Sequence, residues 1–245
     1  MEIGKPVKMT DQRWLNLFEI DYRHDDKTGK WVFASRNQDP KPGPEPTIAN
    51  AVVIIPLHKE RKGRIRQKLV TIKEFRIPLG DYEYGFPAGL FDPGEDLQKT
   101  VERELKEETG LTAGRILTTS PAVVSSAGLS DEAVQYVFIE CTGTVDTSHA
   151  QGPEDISVEI IDIDGVANLR KSGKKISAKA WPILLMFEAM KKITIPHHVR
   201  DELKVRKIKK DAVKWCVDEA KKLDPNAPTD LVELEKYLES KLEKE

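Results

Sequence analysis

The chain has few cysteines and no long hydrophobic run. Its two cysteines, Cys141 and Cys216, lie far apart in 245 residues and lack CxxC spacing, so the sequence predicts neither a disulfide framework nor a thiolate zinc site. The longest purely apolar run, Ala51 to Leu57, contains seven residues, whereas a membrane-spanning helix needs roughly 20. We therefore expect two reduced core cysteines and no membrane span.

An excess of charge of one sign is also lacking. The 39 Lys and Arg residues nearly balance the 41 Asp and Glu residues, for a formal net charge of −2, so the composition indicates neither a nucleic-acid nor a membrane partner. The first residues, MEIGKPVKMTDQRW, contain no apolar stretch after their basic residues and do not resemble a secretory signal. We expect a cytoplasmic protein that recognises its ligand through local features.

Runs typical of β-strands occur on both sides of one helical segment. The predicted strands are 18–22 and 31–34, which form a hairpin, followed by 48–57, 68–75, 122–124, 133–140 and 156–163. The predicted helices span 92–109, with a cap at Asp-Pro-Gly-Glu, and 178–191. This order predicts a layered α/β or α+β domain.

Beyond Pro196 the chain is rich in lysine and has a helical pattern, with leucines recurring at helical spacing at Leu231, Leu234, Leu238 and Leu242. Such a stripe needs a surface to bury against, so we expect it to pack on the core or on a dimer partner; the alternative is a helical extension without catalytic consequence. The predicted organisation is an N-terminal hairpin region with a Pro-rich loop (1–47), a core (48–195) and a helical C-terminal extension (196–245).

The glutamate-rich helix is the most informative segment. At about 100° per residue, Glu104 and Glu108 fall on the same side as Leu97, Val101 and Leu105. A solvated acidic face is the ordinary interpretation of such a helix, but like charges four residues apart repel, and desolvating them is costly unless a cation joins them. Oxygen ligands without nearby His or Cys favour Mg²⁺ or Mn²⁺, which usually bind phosphate oxygens as well.

The same segment, from Gly89 to Leu111, matches the pattern GX5EX7REUXEEXGU, in which U is a bulky aliphatic residue. With the flanking segments EFRIPLG, FPAGLFDPGE and SSAGLSDE, it resembles the Nudix hydrolases, and in particular their ADP-ribose pyrophosphatase branch. The resemblance extends from Phe18 to about Lys191. It implies the Nudix fold, a mixed β-sheet sandwiched between helices, together with a nucleotide-sugar substrate and a homodimer.

The resemblance also implies roles for individual residues. The metal ligands would be the carbonyl of Ala88 and the carboxylates of Glu95, Glu104, Glu107 and Glu108, with Glu104 and Glu108 as the principal pair. Arg103 would orient these carboxylates. Arg76 could bind the substrate phosphates through its bidentate fork, and the alternative for this residue is an edge-strand salt bridge.

Two glutamates in loops after the helix are candidates for the base that accepts the proton of the attacking water. Glu154 in QGPEDISVE is preferred over Glu132 in SDE, because a Gly-Pro loop could close over bound substrate; both could instead be solvated loop acids. One departure from the family pattern bears on the substrate. Many ADP-ribose hydrolases have a Glu two residues before the PAG triplet, where this chain has Gly85, with Glu83 displaced by two.

The activity implied is metal-dependent hydrolysis of the pyrophosphate bond of a nucleoside diphosphate linked to another moiety. ADP-ribose, cleaved to AMP and ribose 5-phosphate, is the first expectation. One alternative is a pyrophosphatase of the same family that acts on another nucleotide sugar or on a dinucleotide. The other is a non-catalytic, Nudix-type ligand-sensing regulator.

Overall fold

The computed structural model describes residues 1–45, 47–59, 68–148 and 155–192, together with Lys221. The strands are β1 Glu2–Ile3, β2 Val7–Lys8, β3 Asn16–His24, β4 Lys27–Ser35, β5 Ala51–His58, β6 Lys68–Arg76, β7 Asp81–Gly85, β8 Ala88–Leu90, β9 Thr112–Val124, β10 Ala133–Thr142 and β11 Ile156–Ile161. The helices are α1 Leu97–Thr109, α2 Ile163–Lys171 and α3 Trp181–Lys192. The chain divides into two compact units, Met1–Lys191 and Lys192–Glu245.

The described strands form two sheets. The smaller one is built on the antiparallel hairpin of β3 and β4, which confirms the predicted hairpin, and β1 and β2 both pair with β3. The larger sheet has the order β11-β6-β5-β10-β9. In it β10 runs parallel to β5, whereas the other pairings are antiparallel. The larger sheet is therefore mixed, as predicted.

Strands β5 and β6 pair directly only at one end, where Leu57 lies opposite Leu69. Farther along, β8 pairs with β5 and β7 pairs with β6. The register places Ala88 opposite Val53 and Gly85 opposite Ile72. The segment that precedes α1 is thus a structural part of the sheet.

Two nonpolar clusters cover the opposite faces of the larger sheet. Alternate residues of a strand point to opposite faces, and β5 divides accordingly. Its Val52 and Ile54 pack in the cluster that contains Val101 and Leu105 of α1; its Val53 and Ile55 pack in the cluster that contains Val166 of α2 and Leu184 of α3. The sheet lies between α1 on one face and α2 and α3 on the other, which confirms the predicted layers.

The predicted start of α1 was wrong. The segment 92–95 forms a turn, in which the Glu95 N–H donates to the Asp92 carbonyl at 3.0 Å and Gly94 has a φ of 84°. Pro93 followed by a glycine with positive φ favours such a turn over a helical start. The helix begins at Leu97, after the cap residue Asp96.

Other boundaries also differ from the prediction. The strand predicted over 156–163 ends at Ile161, because the side chain of Asp162 accepts hydrogen bonds from the first turn of α2. Strand β9 has 13 residues, of which only 122–124 were predicted, because Gly114, Pro121 and the polar run 118–120 interrupt its nonpolar residues. The predicted helix at 178–191 is observed as α3. The extension predicted over 196–245, apart from Lys221, lies outside the described residues.

The structure also bears on the expectations drawn from the cysteines and the apolar runs. No helix in the described part of the chain is long and apolar enough to span a bilayer. Cys141 in β10 is unpaired and fully buried, and burial raises the pKa of its thiol to about 12, as expected of a core residue. Cys216 lies outside the described residues.

Candidate active site

Helix α1 carries two buried carboxylates on its nonpolar face. Glu104 is 8% exposed and Glu108 is 5% exposed, beside the fully buried Val101 and Leu105. Glu102, on the other side of the same helix, is exposed. The division of the helix predicted from its periodicity is therefore confirmed.

Both ends of α1 are fixed by local interactions. At its beginning the Asp96 side chain accepts a hydrogen bond from the Lys99 N–H at 2.9 Å. At its end Gly110 has a φ of 73°, and its N–H donates to the Lys106 carbonyl at 2.9 Å. A Cβ at Gly110 would lie 2.4 Å from the Asp146 carbonyl oxygen, so both backbone conformation and space require glycine. These contacts set the position of the acidic face relative to the sheet.

Arg103 joins the carboxylates into one network. Its Nη1 donates to Glu104 at 2.6 Å and to Glu107 at 3.4 Å. Its Nε and Nη2 donate to Glu95 at 3.0 and 2.9 Å, and Nη2 also donates to the Leu90 carbonyl at 3.0 Å. The hydrogen bonds from Arg103 hold the pKa of Glu95 at about 2, and those to Glu95 and Glu104 raise the pKa of Arg103.

Strand β8 lies close to α1 at Gly89. A Cβ built on this residue would lie 1.8 Å from the Oε1 atom of Glu104, so the carboxylate occupies the space that a side chain would need. One residue earlier, the Ala88 N–H donates to the Oε2 atom of Glu108 at 3.2 Å. The two buried carboxylates are therefore held against the backbone of β8.

The carboxylates of this site suit a hard divalent cation that takes some of its ligands from the protein and the others from a substrate. Among the residues that the structure describes, no three His, Cys, Asp or Glu side chains gather closely enough to enclose a metal ion by themselves. Mg²⁺ commonly binds through one or two carboxylates and completes its shell with water and phosphate oxygens. The pair of Glu104 and Glu108 fits this mode of binding better than it fits a closed, all-protein metal site.

Glu132 is a partly buried acid with a cationic partner. Its Oε2 atom accepts a hydrogen bond from Nζ of Lys179 at 3.1 Å. Partial burial alone would raise the pKa of Glu132, but the hydrogen bond and charge of Lys179, with smaller contributions from Ser125 and Arg36, outweigh burial and lower it. Glu132 is thus not a fully solvated loop acid. The other candidate base, Glu154, lies outside the described residues and stays a prediction.

Arg76 lies at the end of β6 and pairs with two carboxylates. Its Nη1 donates to Glu74 at 2.5 Å, and its Nε lies 3.5 Å from Glu83. This is the salt bridge predicted as the alternative to phosphate binding. The side chain is about half exposed, so the guanidinium group remains accessible to an anionic ligand.

Two polar residues near Arg76 were missed by the sequence analysis. Ser177 and Lys179 belong to the connection between α2 and α3, which pairs with β7 through the hydrogen bond from the Ser177 N–H to the Tyr84 carbonyl at 2.9 Å. Ser177 and Lys179 lie 101 and 103 residues after Arg76 in the sequence, and neither lies in a recognisable motif. Only the fold brings them to the site.

The chain belongs to the NUDIX domain family, because the model of that family matches residues 47–181. This match covers more than half of the chain. It includes the sheet, α1 and the network around Arg103 that were described above.

The relatives agree with this assignment. The chain is 30% identical over 154 residues to putative nudix hydrolase 2 of Caenorhabditis elegans, covering 62% of this chain and 65% of that protein. It is 33% identical over 141 residues to the ADP-ribose pyrophosphatase of Saccharomyces cerevisiae, covering 56% and 57% of the two chains. The alignments thus span less than two thirds of each relative.

The fold has a solved counterpart. The crystal structure of an ADP compounds hydrolase superposes with a TM-score of 0.54 at 19% identity, and the match covers 84% of this chain and 98% of that one. At this level of identity the likeness shows a shared fold.

Proposed function

We propose that the protein is a metal-dependent hydrolase of the pyrophosphate bond in nucleoside diphosphates linked to a sugar. The observation that carries the proposal is the buried pair of Glu104 and Glu108, held against β8 at Gly89 and bridged to neighbouring acids by Arg103. ADP-ribose, cleaved to AMP and ribose 5-phosphate, is the first substrate to test. The similarity to the yeast ADP-ribose pyrophosphatase supports this choice.

The electrostatics of α1 support a cation at this site. Two carboxylates four residues apart repel each other, and moving such charges out of water costs several kcal/mol per ion unless a partner compensates. Arg103 supplies one positive charge to several carboxylates. The proposed further compensation comes from Mg²⁺ or Mn²⁺, with Glu104 and Glu108 as principal ligands and Glu95, Glu107 and the Ala88 carbonyl as further ligands.

When bound, the divalent ion would neutralise the diphosphate and lower the pKa of an attacking water. The chain's own residues would set the geometry. Arg103 would orient Glu104 and Glu107 through the hydrogen bonds that it already donates to them. Arg76 would exchange its contact with Glu74 for a substrate phosphate, which its planar fork can bind through two hydrogen bonds.

A glutamate would accept the proton of the water, and the choice lies between Glu154 and Glu132. The lowered pKa of Glu132 keeps it ionised at neutral pH, but its hydrogen bond to Lys179 also makes it a weaker proton acceptor. We therefore prefer Glu154 as the base, because its Gly-Pro loop could close over bound substrate.

We also propose that the protein is a homodimer. Three nonpolar side chains, Val7, Leu17 and Val32, are exposed on one face of the N-terminal sheet formed by β1–β4, because Val7 and Val32 both lie opposite Glu19, two residues from Leu17. Exposed nonpolar groups that lie near one another are typical of interaction surfaces. The proposed small-molecule partner is a nucleotide sugar.

The test of the activity is AMP release from ADP-ribose, ADP-glucose, NADH and diadenosine polyphosphates, and GMP release from GDP-mannose, with Mg²⁺ and then with excess chelator. We expect metal-dependent hydrolysis, strongest for ADP-ribose. Glu108→Gln should lower kcat/KM by on the order of 100-fold or more, because it removes a charged ligand from the cation that stabilises the transition state. Glu102→Gln, on the exposed side of the same helix, is the matched control and should leave kcat/KM unchanged.

Other outcomes would change the proposal in defined ways. Strongest activity on another compound of the panel would keep the enzyme and replace its substrate. Binding of ADP-ribose without turnover of any compound would contradict hydrolysis and favour a ligand-sensing regulator.

A further inference from the structure

Thr100 is a polar side chain that is completely buried near the beginning of α1. It lies three residues before Arg103 and four before Glu104, so the three side chains share one side of the helix. Burying a hydroxyl costs free energy unless it forms a hydrogen bond. The hydroxyl of Thr100 therefore needs a partner within the protein.

Two acceptors lie within hydrogen-bonding distance of the Thr100 hydroxyl. One is the Oε2 atom of Glu95 at 2.9 Å. The other is the Asp96 carbonyl at 3.1 Å, which is the usual bond from a helical threonine to the carbonyl four residues earlier. A hydroxyl has one proton to donate, and a carboxylate forms shorter and stronger hydrogen bonds than a neutral carbonyl. The geometry therefore favours Glu95 as the acceptor.

Glu95 connects Thr100 to Arg103. The Oε2 atom that faces Thr100 also accepts a hydrogen bond from Nη2 of Arg103 at 2.9 Å, and Oε1 accepts one from Nε at 3.0 Å. Nη1 of the same guanidinium group donates to Glu104 at 2.6 Å. A chain of hydrogen bonds thus leads from the hydroxyl of Thr100 to the carboxylate of Glu104, a proposed principal metal ligand.

Thr100 restrains Glu95 in a way that the other donors do not. Arg103 reaches Glu95 through a long side chain with several rotatable bonds, whereas Thr100 has a short, β-branched side chain with restricted rotation. The Asp92 N–H lies 3.4 Å from Oε2, which is long for a hydrogen bond. Thr100 therefore fixes the Glu95 carboxylate relative to α1.

We infer that Thr100 is a positioning residue for the divalent cation: its hydroxyl holds Glu95 and, through Arg103, keeps Glu104 in the orientation that binds the ion. The inference rests on the proposed function, which it deepens by giving a role to a residue outside the proposed ligands. Hydrogen-bond partners of metal ligands orient those ligands, and their loss commonly weakens metal affinity by about 10- to 100-fold.

The binding test uses the full-length chain and Mn²⁺ alone, without substrate. Calorimetry would measure the Kd for Mn²⁺ at the site that Glu108→Gln abolishes. Thr100→Val keeps the shape of the side chain but removes the hydroxyl, and should raise Kd by on the order of tenfold. Thr100→Ser retains the hydroxyl and should stay within about twofold of wild type.

Thr109→Val is the matched control. Thr109 is also completely buried in α1, but its hydroxyl donates to the Leu105 carbonyl rather than to a carboxylate. This variant should lower the melting temperature and leave Kd unchanged. If Thr100 served only the helix, Thr100→Val would behave in the same way, so the Kd for Mn²⁺ separates the two roles.

A double variant tests whether Thr100 acts through Glu95. In a Glu95→Ala background, Thr100→Val should change Kd by less than about twofold, because the acceptor that Thr100 holds is already absent; independent effects would multiply instead. A further tenfold increase in the double variant would overturn the inference.

Failure of this inference can be distinguished from failure of the proposed activity. A raised Kd in Thr100→Val but not in Thr109→Val supports the inference even if no compound of the panel is hydrolysed. Equal Kd values in Thr100→Val and wild type, or an equal increase in Thr109→Val, would overturn it even if ADP-ribose is hydrolysed. Absence of Mn²⁺ binding by wild type would overturn it together with the proposed metal site.

Discussion

At the scale of single residues, Gly89 sets the position of the Glu104 carboxylate. Its hydrogen atom faces the carboxylate of Glu104, and a methyl group in its place would lie 1.8 Å from Oε1. The atoms that must move form the far end of a flexible side chain, so the backbone of β8 does not have to shift. The site should therefore be more sensitive to this position than the fold.

We predict that Gly89→Ala separates activity from stability. Displacing Glu104 by an ångström or more should lower metal-dependent turnover by on the order of 100-fold. The melting temperature should fall by less than about 4 °C, which corresponds to about 1 kcal/mol for a chain of this size. Turnover and thermal melting would be measured together. Gly43→Ala is the control, because a Cβ at Gly43 would meet nothing within 4 Å. A Gly89→Ala variant that melts far below wild type would show that Gly89 serves the fold instead.

At the scale of elements, Arg103 ties α1 to the strand and the turn that precede it. It contacts Glu95 in the turn, the Leu90 carbonyl in β8 and Glu104 in the helix itself. Because its hydrogen bonds lower the pKa of Glu95 in the folded protein, this interaction stabilises the fold when Glu95 is ionised. The stabilisation is fully present above the ordinary pKa of 4.5 and is lost as pH falls towards about 2.

The predicted consequence is that Arg103→Met destabilises the protein most near neutral pH. The difference between its urea midpoint and that of wild type should shrink as pH falls below about 4.5. Arg115→Met is the matched control, because Arg115 is exposed and contacts Glu140 at 3.4 Å, an arrangement that contributes little. A difference that stays constant from pH 7 to pH 3 would contradict the role assigned to this network.

Some helices and strands could be predicted from the sequence, and others could not. The periodicity of the acidic helix predicted which glutamates are buried, because a helix places residues four apart on one face regardless of the rest of the fold. The beginning of α1 was mispredicted, since a Pro-Gly turn and a helix start share the same residue types. Strands β7 and β8 were missed because they are short and contain or flank Gly85 and Pro87. The partner of β8 is also distant in sequence, since Ala88 pairs with Val53, 35 residues earlier.

Some residues of the candidate site could likewise be predicted from the sequence, and others could not. Glu104, Glu108, Glu95 and Arg103 lie within one local segment, and their spacing carried the prediction. Lys179 and Ser177 come from the connection between α2 and α3, where no local pattern distinguishes them. Their part in the site follows from tertiary contacts alone, such as the pairing of Ser177 with Tyr84.

On the scale of the whole molecule, the N-terminal sheet joins the larger sheet through the loop between β9 and β10. Ser35 donates to Asp131 at 2.7 Å, and the Ala34 N–H donates to the Leu129 carbonyl at 2.8 Å. The loop that contains the candidate base Glu132 is thus connected to the N-terminal sheet. The predicted boundaries at 47/48 and 195/196 stay predictions, as does the role of the C-terminal extension.

The proposed dimer gives a prediction at this scale. Val32 is 46% exposed on the N-terminal sheet, and Val32→Lys should convert a dimer into a monomer of 27.7 kDa, because a charge would be buried in the interface. Light scattering after gel filtration would measure the mass. Ile48→Lys, at a position that is 84% exposed outside that sheet, should leave the dimer intact. A monomeric wild type, or a dimeric Val32→Lys variant, would refute the proposal.

The parallel pairing of β10 with β5 has a consequence for how the molecule folds. These strands are separated by about 80 residues, and α1 lies between them in sequence. Contacts that close such long loops are slow to form, and the segment that backs Glu104 and Glu108 joins the sheet through β5. Because Val53 is buried in this sheet and Ala88 pairs with it, we expect their amide hydrogens to exchange with solvent only when the domain opens as a whole.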